Sequence, residues 1–122
     1  MRTKVIAVSS AAIFALLTAP AAVAGNGALA CDKDCAKFGL SWDKPSQHEA
    51  DDSAMKDCGD DSCKIIFSTT PRECGAMATA ESGTGWGAAK RGGRDAAALA
   101  AVTDCQKHTP GHCKVRATGC NR

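Results

Sequence analysis

The sequence contains no tyrosine and few other aromatic residues. Of its 122 residues, only three are phenylalanine and two are tryptophan. A core built mostly from Ala, Val, Ile and Met buries little apolar area per residue, whereas ordering each residue costs about 1–2 kcal/mol of conformational entropy. The fold therefore needs a source of stability other than a large aromatic core.

The sequence also lacks an apolar run that is long enough to span a membrane. The apolar run at 5–17 is shorter than the roughly 20 residues that a transmembrane helix needs. The run follows two basic residues and precedes the small-residue triplet Ala22-Val23-Ala24, which is the layout of a secretory signal. We therefore predict a cleaved signal peptide at 1–24 and a mature chain that is exported to the periplasm or the cell exterior, with no stable membrane insertion.

A large excess of charge of either sign is absent as well. The chain has 15 basic and 13 acidic residues, and removal of Arg2 and Lys4 with the signal peptide leaves 13 of each. Proteins that bind nucleic acid through its phosphates present a net basic surface. The balance therefore predicts no nucleic-acid partner.

Charge is nevertheless divided along the chain. Residues 25–63 include four basic and nine acidic residues, whereas 64–122 include nine basic and four acidic ones. The simpler interpretation is that the two halves attract each other in the folded domain. The alternative is that Lys90, Arg91 and Arg94 form a basic patch that contacts an acidic partner.

Eight cysteines lie between residues 25 and 122. In an exported chain this even number is typical of four disulfides, each of which contributes about 2–4 kcal/mol. The segment Ala28-Leu29-Ala30-Cys31 resembles a site of lipid attachment. However, Ala28 is smaller than the aliphatic residue that such sites favour, and acylation of Cys31 would leave an odd number of thiols. We therefore expect four bridges.

The chain consists of two similar halves, 25–73 and 74–122. Matches at one nearly constant offset indicate internal repetition. The matching segments are Gly27–Ala30 with Gly75–Ala78, Phe38-Gly39 with Trp86-Gly87, Ala50 with Ala97, Ala54 with Ala101, Asp57-Cys58 with Asp104-Cys105, and Cys63-Lys64-Ile65 with Cys113-Lys114-Val115.

Each half predicts a strand, a turn, a strand, a helix and a strand. Ser46 and Glu49 have the spacing of a capping box at the start of the first helix, and the second helix is the alanine-rich segment 95–105. The predicted buried stripe of the first helix consists of Ala50, Ala54, Met55 and Cys58. We predict one pseudo-symmetric α+β domain of two layers, in which an antiparallel or mixed sheet carries both helices on one face.

The sequence resembles an exported bacterial family known as domain of unknown function 4189. The similarity rests on the pattern G-A-x-A, G-W-G, an alanine-rich helix that ends in cysteine, C-K-V and a terminal C-N, and on the G-x-S-W-D-x-P-S run of Gly39–Ser46. It covers essentially all of 25–122 and implies a small secreted or periplasmic protein of unassigned activity, some relatives being connected to host interaction. Cys31 and Cys35 depart from the family pattern.

Four bridges formally allow 105 pairings. The repeat constrains them, because equivalent positions should form equivalent bridges; this gives two of the pairs, and the remaining cysteines are assigned to the other two. The predicted pairs are Cys58 with Cys63, Cys105 with Cys113, Cys74 with Cys120, and Cys31 with Cys35.

One cluster has the spacing of a tetrahedral zinc site, namely Cys105, His108, His112 and Cys113. The equivalent segment 58–63 contains no histidine, so a bridge between its cysteines is expected to form without metal. We therefore predict no metal and no other cofactor. A site that uses His108 and His112 remains the alternative.

Three other features are interpreted as structural. The acidic residues of 57–61 lack the spacing of an EF-hand, which favours solvated charge over a calcium site. The loop Gly83–Gly87 lacks the Lys and the Ser/Thr of a P-loop. Trp42 and Trp86 are expected to be packing anchors, in preference to a sugar-binding platform.

The sequence thus predicts a monomeric, disulfide-rich interaction module that is not an enzyme and has no catalytic residue. Its partner would be an unknown protein or envelope ligand, as for an inhibitor or effector, and its contact surface would include Lys90, Arg91 and Arg94. The alternative is an envelope metal-binding protein or a hydrolase that uses Cys105, His108, His112 and Cys113.

Overall fold

The computed structural model describes residues 25–122, which form two units with the same order of elements. In each unit the first strand lies at the centre of a three-stranded antiparallel sheet, between the second strand and the third. The predicted α+β class and its pseudo-symmetry are confirmed. The predicted signal peptide lies outside the described residues. The elements are β1 (Asn26–Cys31), β2 (Phe38–Lys44), α1 (Gln47–Cys58), β3 (Lys64–Thr69), β4 (Cys74–Ala80), β5 (Trp86–Arg91), α2 (Arg94–Gln106) and β6 (Cys113–Cys120).

The two sheets pack face to face, and each helix covers the outer face of its own sheet. Leu29 of β1 and Met77 of β4 are fully buried in the cluster between the sheets. Ala28 and Ala76, on the opposite faces of the same strands, pack beneath α1 and α2 respectively. This differs from the predicted single sheet with both helices on one face. The central strands are apolar on both faces, so each is buried between a helix and the other sheet.

Each helix approaches the backbone of its sheet very closely. A Cβ atom on Gly39 of β2 would lie 2.2 Å from the carbonyl oxygen of Ala54 in α1. At the equivalent place, a Cβ on Gly87 of β5 would lie 2.6 Å from the carbonyl oxygen of Ala101 and 2.2 Å from the amide nitrogen of Cys105 in α2. Both units therefore require glycine on the strand and small residues on the helix.

The start of α1 forms as the capping pattern predicts. Ser46 is the N-cap and its hydroxyl oxygen accepts a hydrogen bond from the amide of Glu49 at 3.1 Å, while Gly59 ends the helix with a φ of 71°. The buried stripe is narrower than predicted. Met55 is 36% exposed, so its assignment to the core is wrong. It lies beside the single row of Ala50, Ala54 and Cys58 that contacts the sheet.

All eight cysteines are bridged, in four pairs. Two bridges tie the C-terminal end of a helix to the beginning of the next strand. Four disulfides indicate an oxidising compartment outside the cytoplasm. In the range 25–122, no helix is long and apolar enough to cross a membrane. The pairs are Cys31–Cys35, Cys58–Cys63, Cys74–Cys120 and Cys105–Cys113.

Asn121, directly after the last strand, joins the two units. Its side-chain Nδ2 donates to the hydroxyl of Thr69 at 2.7 Å and to the carbonyl of Thr70 at 3.0 Å, and its Oδ1 accepts from the amide of Asp43 at 2.9 Å. Asn121 is 4% exposed and Thr69 is fully buried. The amide therefore fixes the end of the second unit to two strands of the first.

Trp42 of β2 makes a second connection between the sheets. A Cβ on Gly119 of β6 would lie 2.3 Å from Cε2 of the indole, and one on Gly75 of β4 would lie 3.2 Å from Cη2. The indole thus packs against two glycines of the opposite sheet. Trp42 is a packing anchor, as the sequence predicts.

We expect Gly87→Ala to destabilise the domain by about 1–3 kcal/mol, because the new Cβ would meet helix backbone that cannot rotate away. Gly92→Ala is the matched control, since nothing lies within 4 Å of a Cβ at that position. Its free energy of unfolding should change by less than about 0.5 kcal/mol. Urea denaturation measures both values, and equal stabilities would contradict the close contact between helix and sheet.

Asn121→Ala should cost at least about 2 kcal/mol, because it leaves the buried Thr69 hydroxyl and the Asp43 amide without their partner. The comparison is Asn26→Ala, which removes one partly buried bond of 3.2 Å to the carbonyl of Lys44. That change should cost about 1 kcal/mol. If thermal and urea unfolding rank the two variants the other way, Asn121 does not join the units.

Candidate binding surfaces

The three cations of the predicted basic patch are directed to different elements. Lys90 Nζ donates to the carbonyl of Ser68 in β3 at 2.8 Å and so connects the two sheets. Arg94 Nη1 donates to the hydroxyl of Thr118 in β6 at 2.8 Å and so holds the start of α2. Arg91 Nη1 donates to the carbonyl of its neighbour Lys90. The three side chains thus hydrogen-bond to different partners, and all three residues are exposed.

Arg91 lines a groove of about 460 Å³ between α2 and β5, here called the α2–β5 groove. Alanines form much of its wall, and Leu99 beside them is 69% exposed. Arg91 and Lys107 are the two cations of its lining. The lining residues are Ala88, Ala89, Arg91, Ala96, Leu99, Ala100, Thr103, Asp104 and Lys107.

The equivalent face of α1 is polar. With the helices aligned through Ala50 and Ala97, Leu99 corresponds to Asp52 of α1. By the same alignment, Glu49 and Lys56 of α1 correspond to Ala96 and Thr103 of α2. The outward face of α2 is therefore apolar where its structural counterpart is charged.

An aspartate covers one backbone donor on each of two edge strands. Asp104 Oδ2 accepts from the amide of Ala88 in β5 at 3.1 Å, and Asp57 Oδ2 accepts from the amide of Leu40 in β2 at 3.2 Å. These donors would otherwise be available to an added strand. The sequence shows the two aspartates as a matched pair but gives no sign of this role. The α2–β5 groove is thus suited to recognition of side chains more than to strand addition.

The candidate zinc cluster is not assembled. Cys105 and Cys113 are bonded to each other, and His108 Nε2 lies 3.6 Å from Asp104 Oδ1 on the surface. His112 contributes its backbone carbonyl, which accepts from the amide of Glu81 at 2.9 Å. Within the part of the chain that the structure describes, no three His, Cys, Asp or Glu residues are grouped to hold a metal ion. Nothing supports the metal-binding alternative.

The acidic segment after α1 forms a hydrogen-bonded turn. Asp60 Oδ1 accepts from the amide of Ser62 at 2.8 Å and from its hydroxyl at 2.7 Å, and Oδ2 lies 3.2 Å from Lys37 Nζ. These interactions stabilise the carboxylate. The bond from the Ser62 amide, followed by those from the Ser62 hydroxyl and Lys37, lowers the pKa of Asp60 from 3.8 to about 2. The Asp60 carboxylate thus stabilises the local turn.

Trp86, at the start of β5, lies where two surface grooves meet. It belongs to the cluster between the sheets, as expected for an anchor, but its side chain is partly exposed. The smaller groove has a volume of about 290 Å³ and is lined by Thr84, Gly85, Trp86, Asp104 and His108. The larger, here called the Trp86 groove, has a volume of about 530 Å³. It is lined by Cys31, Asp32, Lys33, Asp61, Ser62, Cys63, Lys64, Ile66 and Trp86.

The Asp60 turn should respond to acid in a defined window. Because the pKa of Asp60 is lower in the folded protein, its contribution to stability is complete above about pH 4 and is lost as the pH falls towards 2. An NMR titration of the carboxyl carbon should give a midpoint near 2. In Ser62→Ala, which loses the hydroxyl bond but keeps the amide, the midpoint should rise towards 3.8. A wild-type midpoint at 3.8 would contradict the turn.

Comparison with known proteins places this fold in a family. Residues 26–120 match the family model described as a domain of unknown function, DUF4189. No curated protein matches the chain. The NMR structure of Rv1813c from Mycobacterium tuberculosis is similar, with a TM-score of 0.57 and 22% sequence identity over 93% of this chain and 90% of that one. This likeness shows a shared fold, and the match over nearly all described residues shows that the chain belongs to the DUF4189 family.

Proposed function

We propose that this protein is an exported, non-enzymatic binding module whose α2–β5 groove receives a segment of a partner protein. The segment would present an apolar side chain to Leu99 and carboxylates to Arg91 and Lys107. The module acts as a monomer in the periplasm or outside the cell. The observation that carries the proposal is the exposure of Leu99, at 69%, on a helix whose counterpart is charged.

The two helices provide an internal comparison for this argument. Both pack on their sheets through a row of small residues, so the requirements of folding are the same on their inner faces. Their outer faces have no such requirement. Replacement of an exposed leucine by a polar residue is usually tolerated by a fold, and a large exposed apolar side chain next to other apolar surface is typical of an interaction site. The difference between Leu99 and Asp52 therefore supports a role in binding.

Charge supports an acidic partner segment. Residues 64–122 carry nine basic and four acidic residues, and Arg91 and Lys107 lie on the groove. Asp104, the acidic residue of the lining, already accepts the amide of Ala88 and faces His108. Exposed cations next to an apolar surface attract a segment of opposite charge and fix its register. Lys90 and Arg94 contribute to the positive field while their side chains hold the sheets and α2.

A thiol-dependent hydrolase receives less support. A cysteine nucleophile requires a free thiolate, and the sulfur atoms of all eight cysteines are bonded in pairs. His108 and His112 are exposed and lie next to a bridge. The binding module is therefore the function that we propose.

Photo-cross-linking from the groove tests the proposal. In Leu99→p-benzoylphenylalanine, irradiation of the exported fraction should give one main protein adduct. Its yield should fall at least about tenfold when Arg91→Glu is added, because the carboxylates of the partner would then be repelled. The linked peptide, identified by mass spectrometry, should contain acidic residues beside an apolar one.

The matched control places the same cross-linker at the equivalent position of α1. Asp52→p-benzoylphenylalanine should give no specific adduct, because the equivalent groove on α1, of about 350 Å³, is lined by the polar and charged residues Lys44, Glu49, Asp52, Ser53 and Lys56 and offers no apolar contact. Equal adducts from both positions would indicate non-specific contact. An adduct from position 99 that is indifferent to Arg91→Glu would exclude the acidic segment.

Export and oxidation can be checked on intact protein. Mass spectrometry of the chain recovered without reductant should show a start at Gly25, a mass lower by eight hydrogens than that of the reduced chain, and no metal in the native spectrum. The eight hydrogens follow from four bridges. Free thiols, a bound zinc or an acyl group on Cys31 would each contradict the proposed module.

A further inference from the structure

We propose that the Trp86 groove is a second binding site and that its ligand is a neutral glycan. The site is distinct from the α2–β5 groove, with which it shares no lining residue. Its volume of about 530 Å³ lies within the range of about 300–1,000 Å³ that is usual for small-ligand sites. Trp86 and Ile66 supply its apolar wall, and the charged and hydroxyl groups of the two neighbouring loops surround that wall.

The pseudo-symmetry of the fold provides an equivalent position, in the other unit, at which the aromatic ring is covered by a side chain. Trp86 corresponds to Phe38 in the first unit, and Ile66 corresponds to Arg116 in the second. The guanidinium of Arg116 lies over the Phe38 ring, 6.0 Å from its centroid, as in a cation–π contact. The groove beside Arg116 measures only about 200 Å³. The Phe38 ring is therefore covered by an arginine of the other unit, whereas the larger ring of Trp86 lies beside an open groove.

The lining favours an amphipathic ligand without net charge. It contains two carboxylates, Asp32 and Asp61, and two ammonium groups, Lys33 and Lys64, so a strongly charged ligand would meet both attraction and repulsion. A sugar ring has an apolar face of C–H groups that can lie on an indole and a rim of hydroxyls that both donate and accept hydrogen bonds.

Exposed side chains are available for those hydroxyls. Lys33, Asp61 and Lys64 are exposed and can donate or accept at the rim. Asp32 and Ser62 are partly engaged within the protein, Asp32 with the amide of Lys37 at 3.3 Å and Ser62 with the carboxylate of Asp60. The groove thus combines a stacking surface with a ring of polar groups on loops held by the Cys31–Cys35 and Cys58–Cys63 bridges.

The two tryptophans make the test direct. The protein contains Trp42 and Trp86 and no other tryptophan, so its NMR spectrum should show two indole N–H signals. Titration of the oxidised protein with chitotetraose, cellotetraose and maltotetraose should shift the Trp86 signal saturably with at least one of them. The Trp42 signal should stay in place, because that indole lies against Gly75 and Gly119 between the sheets.

Two variants separate binding from folding. Ile66→Arg reproduces the arrangement at Phe38 and should weaken binding at least about tenfold, which corresponds to about 1.4 kcal/mol, while Trp86 remains present. Asp61→Ala with Lys64→Ala changes only exposed groups and should weaken binding severalfold. The matched control is Lys114→Ala, the counterpart of Lys64 in the other unit, which should bind like the wild type.

Other outcomes would overturn the glycan site. No shift of either indole signal with any of the three sugars, up to their solubility, would exclude it, as would a shift that persists unchanged in folded Ile66→Arg. The result is independent of the proposed partner-binding surface, because Leu99 and Arg91 do not line this groove.

Discussion

The close contact of each helix with the backbone of its sheet is the constraint on which the rest of the fold depends. Gly39 and Gly87 leave no room for a side chain beneath α1 and α2, and the buried helix residues that face the sheets are mainly alanine. Such a core is dense but thin, so it buries little apolar area for each residue that it orders. Disulfides at the C-terminal ends of both helices secure the same contact covalently. The cysteine content of the chain thus follows from the choice of small residues at this contact.

Two copies of one packing scheme leave their outer surfaces free to differ. The shared features hold each helix on its sheet: Asp57 and Asp104 cover equivalent edge amides, and equivalent bridges close both helices. The differences lie at the two grooves, where Leu99 stands in place of Asp52 and Ile66 in place of Arg116. A duplicated scaffold of this kind lets one copy serve as a reference for the other. Positions at which the two disagree without a structural reason are the ones where function is most readily sought.

The sequence predicts what depends on local spacing. Ser46 and Glu49 indicate the start of α1, and the matched cysteines lead to the two equivalent bridges Cys58–Cys63 and Cys105–Cys113. It does not predict what depends on contacts between the units. The role of Asn121 and the packing of the two sheets are set by residues far apart in the chain. Lys90, Arg91 and Arg94 are neighbours in sequence, yet strand alternation and the start of α2 direct their side chains to different elements.

The position of Asn121 has a consequence for the order in which the domain closes. The residue follows β6, so the bonds to Thr69 and Asp43 cannot form before every strand of the second sheet has been synthesised. Until then the inner face of the first sheet, with Leu29 at its centre, is not held against a complete second sheet. Cys31–Cys35 and Cys58–Cys63 span four and five residues and can be oxidised at that stage, whereas Cys74–Cys120 spans 46. In an exported chain of this design, the first half would therefore be cross-linked by disulfides while its apolar inner face is still exposed. A chaperone outside the cytoplasm would be valuable until the second half is complete.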